Sequence, residues 1–437
     1  MKALGLALMV GLVVAMATAM SVQAASPWTP LAPVPQPRQA PAAAAGNDGR
    51  LYLMGGTAGY TGPPSDVLGV ETPRVDAYDP RANSWSAAAP LAVPRASFAA
   101  VTGHDGRIYA AGGYTNGAVR LNNLDAFDAK ANAWQSLAPM PTARNGAAAA
   151  VGPDGRIYVM GGCSFDVSNS CNVLQTVEIY SPVSNSWSAG APMPTARASL
   201  AAGVGADGRI YAIGGENESL QSLNVVEAYD PASNSWSPAP PMPTARSLLA
   251  GATGPDGRIY AIGGNNSGAG ALTGALYGKI EIFDAKAQSW MVGKPMPQTA
   301  HSLAATAGPD GRIYVFSGAN VFPVLLDLAY AYDPAADAAV NPSQAPKCQF
   351  VLGFQALHDL DPADIGDCIA NQVAAPNGDA LQGTTKGLLV WRKADNWTAF
   401  TDGFHTWING PDGLQERLNS ERFPWEANPD GLPVVGS

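Results

Sequence analysis

The sequence predicts an all-β fold: a six-bladed β-propeller closed by its own N-terminal strand, followed by a small C-terminal α+β domain. Three observations carry that expectation. A tripeptide recurs six times at near-constant spacing, every period holds four strand-like segments, and the two ends of the array have complementary gaps.

Asp-Gly-Arg ends at Arg50, Arg107, Arg156, Arg209, Arg258 and Arg312, 49 to 57 residues apart. Self-similarity at such a period marks a repeated supersecondary unit. Before each Asp-Gly turn runs a stretch of small residues such as "RASLAAGVG", suited to an innermost strand where neighbouring sheets crowd. After it comes an apolar-aromatic segment such as "RIYVMGG", ending in Gly-Gly except for Ser317-Gly318 in the sixth copy. A loop of variable length leads to "VDAYDP", "LDAFDA", "VEIYSP", "VEAYDP", "IEIFDA" or "AYAYDP", then an Asn-rich turn and a tryptophan. The two middle segments alternate as half-buried strands do. The tryptophan segment carries prolines, which an outer edge tolerates because its N–H groups need no ladder partner. Four-stranded antiparallel sheets repeated radially make a propeller.

The ends set the blade number. "SPWTPLAPVPQPR" is an outermost strand with no blade before it, and the sixth period stops after "AYAYDPAADAA" without its tryptophan. The strand around Trp28 is therefore expected to complete blade six and remove an exposed sheet edge. Before it, residues 1–25 read as a secretory signal: Lys2, an apolar run, and Val22-Gln23-Ala24 as the cleavage site.

The doubled glycine, the aromatic 14 to 22 residues later and the tryptophan about seven beyond it resemble the kelch signature over residues 27–335. The resemblance implies a binding propeller, and some similar propellers are copper-radical oxidases or sialic acid mutarotases. A copper site of that kind needs two histidines converging. Of the four histidines, His104 sits in an Asp-Gly turn and His358 and His405 lie beyond the repeats, so copper is excluded. No cofactor or metal is expected.

Antiparallel order puts the Asp-Gly and Asn-Ser-Trp turns on one face, short and uniform as tight hairpins require. The long loops after Gly-Gly lie on the other, where variation over a constant scaffold builds recognition. "PMPTAR" occurs three times at that face, and Arg38, Arg95, Arg144, Arg197 and Arg246 share one position, with His301 expected in blade six. Two readings stay open. Five guanidiniums around a channel mouth would capture carboxylates. Alternatively each braces the carboxylate that precedes the blade's aromatic: Asp76, Asp125, Glu178, Glu227 or Glu281. Blade six, lacking the arginine, has Tyr330 in place of the carboxylate, and losing both together is what a buried ion pair requires.

The expected function is non-catalytic recognition of an extracellular protein or glycan. The alternative is an isomerase acting on an acidic sugar, with His301, Tyr330 or Glu216 moving the proton. A formal charge of −10 disfavours nucleic acid and anionic membrane surfaces. Periodic glycine and proline with only 14% charged residues fit export to the medium or cell surface, and membrane insertion is not expected. The four cysteines form two local pairs, Cys163 with Cys171 and Cys348 with Cys368, each expected as a disulfide in an oxidising exterior.

The domain limits are 1–25 signal, 26–335 propeller, 336–347 linker, 348–426 C-terminal module and 427–437 tail. In the module, "QFVLGFQALHDL" and "DPADIGDCIANQ" have helical character. Asp361 as N-cap explains the acidic cluster of Asp359, Asp361, Asp364 and Asp367 better than calcium does. "ALQGTTKGLLVWRK" reads as a hairpin, "NWTAFTDGFHTWING" as strands and "PDGLQERLN" as a closing helix. Trp391, Trp397, Trp407 and Trp425, with Arg392 and Asp402, offer either an aromatic glycan platform or core packing. The run from "LLVWRK" to "RFPWE" resembles a module on exported bacterial proteins, a resemblance that supplies no role for it; surface or glycan attachment, to the cell envelope for example, is the separate expectation for this part of the chain.

Overall fold

The computed structural model describes residues 26–61, 68–116, 119–165, 171–266, 276–320 and 324–337, with strand segments within 373–418. The signal segment, most of the linker, both expected helices of the module, Cys348, Cys368, Asp402 and Trp425 lie outside the described residues.

Residues 26–337 form six four-stranded antiparallel sheets arranged as a propeller. Blade one contains Ala42–Ala45, Leu51–Met54, Val75–Asp79 and Ser84–Ala88, from the channel outward, and blades two to five repeat this order. Blade six contains Ala304–Ala307, Ile313–Phe316 and Ala329–Tyr332, and its outermost strand is Trp28–Pro30, with Trp28 opposite Tyr332 and Pro30 opposite Tyr330. The chain's first strand thus closes the ring. The inner strands neighbour one another in order, and blade one's packs against blade six's.

Small residues make that crowding feasible. At Gly251 an added Cβ would lie 2.8 Å from that of Ala201 on the adjacent blade. The second strands are buried on both faces, because each blade lies between two others. Tyr158, Met160 and Ile179 of blade three, for example, pack on Ile210, Ala212 and Tyr229 of blade four. A side chain the size of Met160 or Ile210 contributes about 1.5–3 kcal/mol on leaving water. At the rim, every outer tryptophan reaches the preceding blade's exit segment: the indole N–H of Trp85 donates to Ala32 O, Trp134 to Ala89 O and Trp187 to Ala138 O. Trp236 donates to Ala191 O and Trp290 to Pro240 O, and Trp28 completes the circle on Lys294 O at 2.7 Å.

On the uniform face, Asp48 accepts from Arg50 Nε at 2.6 Å and from the Tyr52 hydroxyl at 2.7 Å, which explains why Asp-Gly-Arg recurs. The same unit stands at Asp105, Asp154, Asp207 and Asp310.

In the C-terminal part, six described strands from Val373–Ala374 to Gly413–Leu418 form one antiparallel sheet. The hairpin and strands expected there are present, but the closing helix is not. Gly413–Leu418 is a strand paired with His405–Gly410, Gly410 standing opposite Gly413. Leu414 and Leu418 are four apart, a spacing that suits one face of a helix and equally every second residue of a strand. The glycines that bracket a two-residue connection favour the hairpin.

Candidate functional site at the channel mouth

Arg38, Arg95, Arg144, Arg197 and Arg246 are all 0% exposed. Arg38 Nη2 meets Asp76 at 2.7 Å, Arg144 Nη2 meets Glu178 at 3.0 Å, Arg197 Nη2 meets Glu227 at 2.5 Å and Arg246 Nη2 meets Glu281 at 2.8 Å. Arg95 pairs with Asp125 in the same way. Four of the guanidiniums also donate to the carbonyl of the first glycine of the Gly-Gly bend, as Arg246 Nη1 does to Gly263 O at 2.7 Å, while Arg38 donates to Leu53 O. Burial pulls all five arginines below their ordinary pKa, and the partner carboxylate opposes that fall. The five guanidiniums face the blade interior, so they do not form an open anion trap.

The repeated hexapeptide now has a physical reading. Met140, Met193 and Met242 are buried, and Thr142, Thr195 and Thr244 donate to Glu178, Glu227 and Glu281 at 2.7 to 2.8 Å. Blades one and two have no threonine there and use the shorter aspartate, served instead by Arg74 and Ser136.

Blade six requires a correction. The carbonyl of Ala300 accepts from Gly264 N as that of Arg246 accepts from Gly215 N, so Ala300 holds the arginine's place and His301 corresponds to Ser247. Ala300 is fully buried, and Tyr330 takes the carboxylate's place inside the blade, edge-on to Trp28 with ring centres 6.3 Å apart. His301 is half-buried at the mouth; burial lowers its pKa, against a hydrogen bond to Asn320 O. Glu216 is 4% exposed on blade four. The three proton-transfer candidates therefore divide between blades four and six, and Tyr330 belongs to the brace position.

A feature with no signature in residue type organises the mouth. Two residues past each brace position the backbone enters the left-handed region: Ala40, Ser97, Gly146, Ser199, Leu248 and Ser302 have φ of 50 to 61°. Each N–H donates to the carbonyl of the preceding member, Ala40 to Ser302 and so on, at 2.7 to 3.0 Å. The result is a closed belt of six hydrogen bonds around the channel. A non-glycine residue in this conformation costs roughly 1–2 kcal/mol, so the belt is a rigid ring held by all six blades. The residue before each belt member bridges to the one after Gly-Gly: Gln39 to Thr57, Ala96 to Tyr114, Asn145 to Cys163, Ala198 to Glu216, Ser247 to Asn265 and His301 to Ala319. The channel below is lined by alanine, glycine, valine and threonine, with no charged side chain among them.

Three two-stranded ribbons stand on this face: Thr57–Thr61 with Leu68–Glu71, Tyr114–Thr115 with Val119–Arg120, and Cys163–Phe165 with Cys171–Val173. Cys163 and Cys171 form a disulfide with Cα atoms 5.5 Å apart. Arg120 lies over the Tyr114 ring, whose hydroxyl is 3.2 Å from Thr57 Oγ1 on the neighbouring ribbon. Val70, Val119, Leu220 and Val324, from blades one, two, four and six, expose 41 to 54% of their surface here.

No curated protein matches the chain. A solved structure titled "Structure of YjhT" is similar at 17% identity and a TM-score of 0.55, covering 68% of this chain and 95% of that one, which shows a shared fold. The KLHDC2/KLHL20/DRC7 kelch-repeats domain matches residues 16–193, and the kelch motif matches residues 197–243 and 246–297. With the doubled glycines, rim tryptophans and six radial sheets, these matches identify the chain as a kelch-repeat β-propeller.

Proposed function

We propose that the protein is a secreted or surface-held, non-catalytic binding protein that recognises an extracellular protein or glycan through its ribboned face. One observation carries this reading: an irregular face with exposed apolar side chains from four blades stands on a belt that runs through all six blades, with an arginine–carboxylate brace in five of them. Such a scaffold holds variable loops at fixed positions, and apolar residues exposed around a polar rim suit a partner surface. The Cys163–Cys171 disulfide is consistent with an oxidising exterior. The C-terminal sheet is assigned to envelope attachment. An isomerase for acidic sugars draws no support from the ring arginines, which are enclosed with their carboxylates.

The test is biolayer interferometry of the full chain against extracellular proteins and immobilised glycans. A variant carrying Val70→Glu, Val119→Glu, Leu220→Glu and Val324→Glu should lose a protein ligand while keeping its melting temperature. Binding that survives those changes but is lost on substituting Asn47 and His104 at the Asp-Gly turns would place the interface on the opposite face.

A further inference from the structure

We infer that Ser199, Ser222 and Ser302 form an arc of hydrogen-bond acceptors at the channel mouth that recognises an uncharged polyhydroxylated ligand, a neutral sugar chain. The inference rests on the binding function proposed above and names the ligand class for one sector of that face.

All three serines are half-buried, and each hydroxyl is tied from behind by a partner of limited choice. Ser199 Oγ donates to Glu216 Oε1 at 2.9 Å, and that glutamate is buried. Ser247, fully buried, donates its one proton to Asn265 Oδ1 at 3.2 Å. Ser222 Oγ has two acceptors behind it, Ser247 Oγ at 3.2 Å and Asn265 O at 3.4 Å, and with the Ser247 proton spent on Asn265 Oδ1 its own proton goes to one of these two. On blade six, His301 Nε2 lies 3.1 Å from Asn320 O. A carbonyl can only accept, so Nε2 carries the ring proton and Nδ1 accepts from Ser302 Oγ at 3.0 Å.

The consequence is common to the three sites. The hydroxyl protons point into the protein, and what each oxygen offers the solvent is its lone pairs. An arc of acceptors is complementary to donors, and every hydroxyl of a sugar brings one. A carboxylate or sulfate brings acceptors only. The belt fixes the spacing, since Ser199 and Ser302 are themselves belt members and Ser222 is held against blade five through Ser247. Donor and acceptor groups held by packing and by partners behind them lose little freedom on binding.

The experiment is titration calorimetry of the full chain with cellohexaose, maltohexaose and xylohexaose, and with hexagalacturonate and hexaguluronate as acidic, charged counterparts. At least one neutral oligomer should bind, with little response to the charged ones. Ser199→Ala, Ser222→Ala and Ser302→Ala should each weaken that binding about fivefold and together about a hundredfold, with the melting temperature kept. If the triple variant does not fold, the Ser222→Ala chain alone decides. Silence across the neutral panel, tighter binding of a charged oligomer, or serine variants that bind like the parent would each overturn the arc. Those results leave the ribbon reading standing if the four valine and leucine substitutions still abolish binding of a protein.

Discussion

Tyr332 donates its hydroxyl to Asp337 Oδ2 at 2.6 Å, and the same oxygen accepts from Lys294 N at 2.6 Å. Asn83, Asn185 and Asn234 do this in other blades, each accepting from the tyrosine five residues before it and from the preceding blade's exit segment. Asp337 is thus the last rim latch, beside the indole of Trp28. Asp337→Ala strands the buried Tyr332 hydroxyl and frees the part-buried Lys294 N–H, and should lower the unfolding free energy by about 2 kcal/mol in urea. Asp337→Asn copies the other blades and should cost under about 1 kcal/mol. Equal losses for the two would mean that the oxygen is not the latch.

Arg197→Ala leaves Glu227 buried without its guanidinium, with Thr195 Oγ1 still donating to it at 2.8 Å. The expected cost is about 3–5 kcal/mol. Blade six shows an arrangement that avoids the charge, Ala300 with Tyr330. Arg197→Ala combined with Glu227→Tyr should therefore recover about half of the loss or more, a coupling measurable in a double-mutant cycle. Ligand affinity of the double variant should match the parent's. A fall in affinity at unchanged stability would return the arginine to the ligand.

Much of this was legible before any coordinates because the repeats report on each other. The spare strand at Trp28 and the missing tryptophan of the sixth period fit one another, and the joint absence of arginine and carboxylate in blade six marked a pair. The error at His301 came from matching residue character instead of register. Counted from Pro-Met-Pro, the third residue onward is Arg246 in blade five and Ala300 in blade six. Asp337 was findable too, five residues past Tyr332 as Asn83 is past Tyr78. The belt was not. Alanine, serine, glycine and leucine share no preference for the left-handed region, so that conformation is imposed by the hydrogen-bond ring and not by the residues in it.

The Cys163–Cys171 ribbon belongs to no blade sheet. A loop of that size gives a disulfide about 2–3 kcal/mol by the chain-entropy argument, but the gain applies to the ribbon's own opening and not to the ring. Cys163→Ala with Cys171→Ala should therefore leave the global urea transition nearly unchanged while hydrogen exchange of the ribbon amides speeds about tenfold or more. A matching fall in the global transition would show the ribbon to be part of the cooperative core.

The Asp-Gly-Arg turns give the fold an acid limb. Burial alone would raise the carboxyl pKa of Asp48, Asp105, Asp154, Asp207 and Asp310. The tyrosine hydroxyl and the arginine that donate to each reverse this, and all five are held below the ordinary aspartate value of 3.8. A carboxyl whose folded pKa is depressed stabilises the fold above its unfolded pKa and loses that contribution as pH falls through the folded value. These aspartates are partly exposed, so solvent screening keeps each contribution small, but five add. The urea midpoint should hold steady from about pH 6 to about pH 4 and fall steeply below it. Replacing the five aspartates by asparagine should lower the midpoint at neutral pH and flatten the fall below pH ~4, because no proton is then taken up at those turns. An acid limb of unchanged steepness would assign the proton uptake to groups other than these five aspartates.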